Sequence, residues 1–126
     1  MGITNAGLAE VTALLGDVGS PTAFTYLALG SDNTAFNASQ TALGSEITGN
    51  GLARASATVT QETTTETNDT LRLQHQWSVT GSETVREAGI FNASSGGTML
   101  ARKVLTTPQS LSNGDTFTYT YDIVVS

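Results

Sequence analysis

The last stretch of the chain, Thr116 to Val125, alternates without a break. Phe117, Tyr119, Tyr121, Ile123 and Val125 fall on one face, and Thr116, Thr118, Thr120, Asp122 and Val124 on the other. A strict period of two cannot be reconciled with a helix, whose faces repeat every 3.6 residues, so this run specifies a β-strand with one apolar side. Three further runs follow the same rule. Leu71, Leu73, His75, Trp77 and Val79 alternate with polar residues, Ala55, Ala57 and Val59 do so within Ala53 to Gln61, and Phe24, Tyr26 and Ala28 share a face of a shorter strand over Phe24 to Leu29.

Between these runs Thr84 to Leu105 reads as a β-hairpin. Its arms are Arg86 to Phe91 and Thr98 to Val104, and Asn92, Ser94, Ser95, Gly96 and Gly97 supply the turn. Both arms carry charge in an apolar setting. Antiparallel pairing brings Glu87 within reach of Arg102 or Lys103, which would fix the register and, if exposed, contribute roughly 0.2–1 kcal/mol. If the pair is buried, removing Glu87 alone would orphan a cation and cost more than removing both partners.

The N-terminal segment has a different period. Leu8, Val11 and Leu15 recur at helical spacing from Ile3 to Leu15, Thr4 or Asn5 can cap the start, and Gly16 can end the helix. Residues 30–51 form a polar, Gly- and Asn-rich loop in which Thr41 to Ile47 offers one helical turn. Loops this long are usually functional or partly disordered, and a simple surface crossover is the equal alternative here. Residues 106–110 read as a connector to the turn at Ser112 to Asp115. The expected fold is mostly β, an antiparallel β-sandwich or barrel-like domain with one short N-terminal helix. All 126 residues form one domain, with residues 1–16 as helix or arm and 23–126 as the sandwich.

Charge and composition narrow the function. Five basic residues against eleven acidic ones give a net charge of −6, which disfavours nucleic acid as a partner. The absence of cysteine removes disulfides, thiolate catalysis and cysteine-bound zinc. With no basic n-region and no long apolar run, the expectation is a soluble protein made in a cytoplasm, with no membrane partner. The lone histidine, His75, sits on the face shared with Leu73 and Trp77 and has no catalytic partners in the sequence, so no catalytic residue, cofactor or metal is assigned. Asp32, Asn33, Glu46, Asn68, Asp69, Asn113 and Asp115 are oxygen-rich, but they lack the spacing of a calcium loop and suit turns instead. Tyr26, Trp77, Tyr119 and Tyr121 would suit a sugar-stacking platform, although alternating strand positions suit a core better.

The run VREAGIFNASSGGTMLARKVL, followed by SLSNGDTFTYTYDIVV, resembles the C-terminal part of small tailed-bacteriophage virion structural proteins. YLALGSDNTAFNASQTALGSEI and GLARASATV resemble the same family's strand, loop and TxLGxE segments. The resemblance implies a non-enzymatic virion protein. Small size and the lack of a fibrous repeat favour a capsid decoration (cement) protein on the head exterior, bound to the major capsid protein and to itself as a homo-oligomer, possibly a trimer. A tail-fibre or tail-tip adhesin binding a host glycan is the alternative. Ile3, Leu8, Val11, Leu15, Phe36 and Leu43, from the N-terminal segment and the long loop, are the candidate partner contacts because neither region is explained by the sheet.

Overall fold

The structure, a computed structural model, describes residues 2–125. One helix, α1 (Asn5–Gly16), precedes seven strands: β1 (Tyr26–Gly30), β2 (Ala55–Ser56), β3 (Thr58–Glu62), β4 (Thr70–Ser78), β5 (Glu83–Phe91), β6 (Met99–Leu111) and β7 (Thr116–Val124). They form two antiparallel sheets, a four-stranded one in the order β2-β1-β5-β6 and a three-stranded one in the order β3-β4-β7. The arrangement is sandwich-like and is not a closed barrel. Leu27, Leu29, Val85 and Ile90 of the first sheet share the main core with Leu73, Trp77, Phe117, Tyr121 and Ile123 of the second.

The four-stranded sheet is buried on its other face as well. There Ala28, Phe91 and Met99 form a second cluster with Leu43, and Tyr26 packs against it. Phe24 belongs to the main core while Tyr26 and Ala28 turn away from it, so the shared face expected for these three does not exist. A strand covered on both sides carries no one-sided pattern to read.

Two strands depart from the expectation. Ala53 to Gln61 is not one strand: Ala55 and Ser56 pair with β1, Thr58 to Glu62 pair with β4, and the chain changes sheets at Ala57, whose N–H donates to Thr25 O at 2.8 Å. Alternation continues across the switch, so periodicity cannot register it. β6 runs on through the expected connector and past Pro108. Register with β5 breaks between Glu87↔Val104 and Val85↔Gln109, a bulge of the kind that accommodates proline in an edge strand. Thr41 to Ile47 is not helical, but Glu46 makes an isolated bridge to Gly30.

Thr4 caps α1: its hydroxyl accepts from Gly7 N at 2.8 Å and donates to Met99 O. Asp17 closes the other end in the left-handed conformation, so Gly16 is the last helical residue. Gly7, and not the leucine stripe, is the buried residue of α1. A Cβ at Gly7 would overlap the backbone of Leu100, so the helix rests on β6 through bare backbone and leaves Leu8 and Leu15 outward, at 53% and 84% exposure. Gly7→Ala, which isolated-helix propensity would favour, should therefore destabilise the protein by about 1–3 kcal/mol. Leu15→Ala should stay within about 0.5 kcal/mol of wild type. Chemical denaturation of the two variants side by side checks both; a Gly7→Ala variant as stable as wild type would mean that the helix is not seated on β6.

Candidate functional site

Glu87 and Arg102 lie on the face of the four-stranded sheet turned toward residues 31–51. The register sets Glu87 opposite Val104 and Gly89 opposite Arg102, so the pair meets on the diagonal, with Arg102 Nε donating to Glu87 Oε1 at 2.8 Å. Both side chains are fully enclosed. Burial of a charge costs far more than an exposed pair returns unless every polar atom is matched, and here they are matched. Glu87 Oε1 also accepts from Gly44 N at 2.9 Å, and Oε2 accepts from Asp32 N at 3.1 Å and Ser45 N at 2.9 Å. The remaining Arg102 N–H groups reach Thr34 O at 2.9 Å, Gln40 Oε1 at 3.3 Å, and Asp32 O and Oδ2 at 3.5 Å.

The pair thus does more than set hairpin register. It clasps both limbs of the long loop to the sheet. Gly30 and Gly44 make the approach possible, since a Cβ at either would overlap the Glu87 or Asp32 carboxylate. Lys103 takes no part. It is the next residue on β6, so its side chain points to the opposite face, where it is exposed.

A second clasp, which the sequence reading missed, is built on Arg54. Its guanidinium grips Glu46 with two hydrogen bonds, Nε to Oε2 at 3.0 Å and Nη2 to Oε1 at 2.7 Å. Nη1 donates to the carbonyls of Ala93 and Gly96 in the β5–β6 turn at 3.0 and 2.8 Å. The same group lies 3.7 Å from the centre of the Phe91 ring, a cation–π contact. A signal was present: Leu-Ala-Arg occurs at residues 52–54 and again at 100–102, each time ending in an arginine that anchors a loop.

The other candidates scatter. Leu43 is buried in the second cluster and cannot serve as a partner contact, because the clasp on Gly44 and Ser45 draws its side chain inward. Ile3 and Val11 pack against the main core, and Phe36 is half-buried. Leu8 and Leu15, with Leu14 and Val18, are the exposed apolar residues of the N-terminal segment. The aromatic residues form no platform. Trp77 and Tyr121 are core residues, with the indole N–H donating to Ala53 O at 2.9 Å. His75 meets the Trp77 ring edge-on at a centroid distance of 4.7 Å.

The oxygen-rich turn groups serve local structure. Asp69 accepts from the N–H groups of Glu66, Thr64 and Thr65 and from the Thr70 hydroxyl, and these bonds hold its carboxyl well below the ordinary 3.8. Asp115 accepts from Ser112 N at 2.8 Å. Asp122 is lowered by its two-pronged hydrogen bond from Arg72. Burial pushes the Tyr119 hydroxyl up to about 12 and Tyr121 up as well. These groups all move away from neutrality, the opposite of what general acid–base catalysis at pH 7 requires. Among the described residues no three His, Asp or Glu side chains converge as a metal site would need.

Two adjoining surface grooves, about 430 and 400 Å³, run between β6 and β7. Arg102, Lys103, Tyr119 and Asp122 line the first; Leu105, Thr107, Gln109 and Phe117 line the second. The family profile described as podophage GP4 fiber I protein gp80 matches residues 10–124, a span that takes in both clasps, the grooves and every strand. The chain belongs to that family. It is therefore a structural protein of the phage virion, as the resemblance in its hairpin and loop segments implied. Among individual curated proteins, none matches it.

Glu87→Ala leaves the buried Arg102 guanidinium without its counter-ion and should cost about 3–5 kcal/mol. Adding Arg102→Met should recover part of that loss. A denaturation double-mutant cycle reads the coupling, and additive losses would refute the clasp. The acid limb of stability is tested separately. Asp69 binds its proton less readily folded than unfolded, so its contribution is complete above pH 3.8 and is lost as pH falls below it. Asp69→Asn should flatten the fall of Tm with pH in that range; curves that stay parallel to wild type would contradict this role.

Proposed function

We propose that this chain is a non-enzymatic structural module of a podophage tail fibre. The family match over nearly the whole chain carries this reading, because the matched family is described as a fibre protein. A cement role on the head exterior, toward which small size and the lack of a fibrous repeat lean, has no comparable support.

The architecture suits a mechanical part. Long loops, normally the least stable portions of a β-domain, are tied to the sheet by two arginine clasps with their polar atoms matched. Such ties keep a small module rigid without disulfides. Its partners on this reading are neighbouring chains of the fibre, including further copies of itself, and the outward apolar residues Leu8, Leu14, Leu15 and Val18 are available to them.

Gold-labelled antibody raised against the purified chain and applied to intact virions tests the location. Label on the tail is the expected result. Label spread over the head shell would replace the fibre reading with capsid decoration.

A further inference from the structure

A β-sandwich has four edge strands, and an unpaired edge invites pairing with another chain unless something blunts it. Three of the edges here are blunted. β2 is two residues long. β3 has five residues, ends at Glu62 and presents no buried apolar face. β6 is covered at one end by the N-terminal arm, where Thr4 N donates to Leu100 O and Arg102 N to Gly2 O, both at 2.9 Å. At its other end the bulge and Pro108 interrupt it.

β7 carries none of these devices. It pairs with β4 in unbroken register from Thr70↔Val124 to Ser78↔Thr116. It contains no proline, glycine, lysine or arginine, and its one charge, Asp122, is matched by Arg72. Apart from the strand ladders, no backbone hydrogen bond among the described residues involves Thr116 to Val124. Beside this edge run the two grooves, and Tyr119 stands half-buried between them.

We propose that the free edge of β7 is a self-association surface, on which two copies of this chain pair antiparallel about a two-fold axis through Thr120. The sequence of the strand is complementary to its own reversal. With Thr120 facing Thr120, Tyr119 meets Tyr121 of the second copy, Phe117 meets Ile123, Thr118 meets Asp122 and Thr116 meets Val124. Apolar residues stand opposite apolar ones on the inner face; on the outer face Thr120 meets Thr120, Thr118 meets the acceptor Asp122 and, at the two ends, Thr116 meets Val124; no two like charges meet. Aromatic and threonine cross-strand pairs of this kind favour pairing, and a two-fold contact closes on itself without propagating. The result is a six-stranded sheet, β3-β4-β7-β7-β4-β3, across two molecules. It is independent of where in the virion the chain sits.

Single cysteines test the register directly, because the chain has none of its own. Thr120 is exposed, so Thr120→Cys leaves the core intact and sets two thiols face to face within reach of a disulfide. Thr118→Cys sets them about 13 Å apart along the strands. Under mild oxidation the Thr120→Cys protein should become mostly covalent dimer, while Thr118→Cys should stay mostly uncrosslinked. In sedimentation, Thr120→Lys should weaken self-association of the otherwise wild-type chain roughly tenfold or more, with circular dichroism confirming that the fold is retained. Three results would overturn the proposal: a wild-type chain that stays monomeric at high concentration, equal crosslinking of the two cysteine variants, or an oligomer indifferent to Thr120→Lys.

Discussion

The buried pair of Glu87 and Arg102 is the interaction on which the outer half of the molecule depends. Four hydrogen bonds converge on the carboxylate and the guanidinium spends its N–H groups on the pair and the loop around it. Neither charge would tolerate that enclosure alone. Because the loop supplies most of the partners, loop and sheet cannot separate without exposing two desolvated ions to each other's loss. The long loop, residues 30–51, is thereby made part of the fold, and Leu43 is carried into a second core that covers the far side of the sheet.

Arg54 repeats the device a short distance away, joining the end of the same loop to the β5–β6 turn over the face of Phe91. Together the two arginines hold the segments that a sandwich would ordinarily leave mobile. The chain has only five basic residues, and two of them are committed to these clasps while Arg72 joins Asp122 and Glu62 on the three-stranded sheet. Cationic side chains here work as internal fasteners, and recognition of anionic partners has little left to draw on.

What remains for contact with other molecules is apolar and main-chain in character. The helix shows its leucines to solvent because it touches the sheet through Gly7, and β7 ends the smaller sheet with an open row of backbone groups. Both are consistent with the contacts to further chains proposed above.

Alternation in Leu71 to Val79 and Thr116 to Val125, a helix cap at Thr4 or Asn5, and the turn glycines after Asn92 were legible in the sequence because each depends on residues a few positions apart. They determined the β class, the short helix and the hairpin. A pairing of Glu87 with Arg102 or Lys103 was legible too, from opposite charges on adjoining arms of a hairpin, but that Arg102 is the partner and Lys103 is not was decided by register and face. The depth at which Glu87 and Arg102 are buried was decided by the tertiary structure, because the loop that covers them lies some forty to seventy residues away in sequence. The same holds for the inward turn of Leu43, the hold of Arg54 on the β5–β6 turn and the sheet change at Ala57. Each is set by which distant backbone happens to lie opposite, and local periodicity carries no record of that.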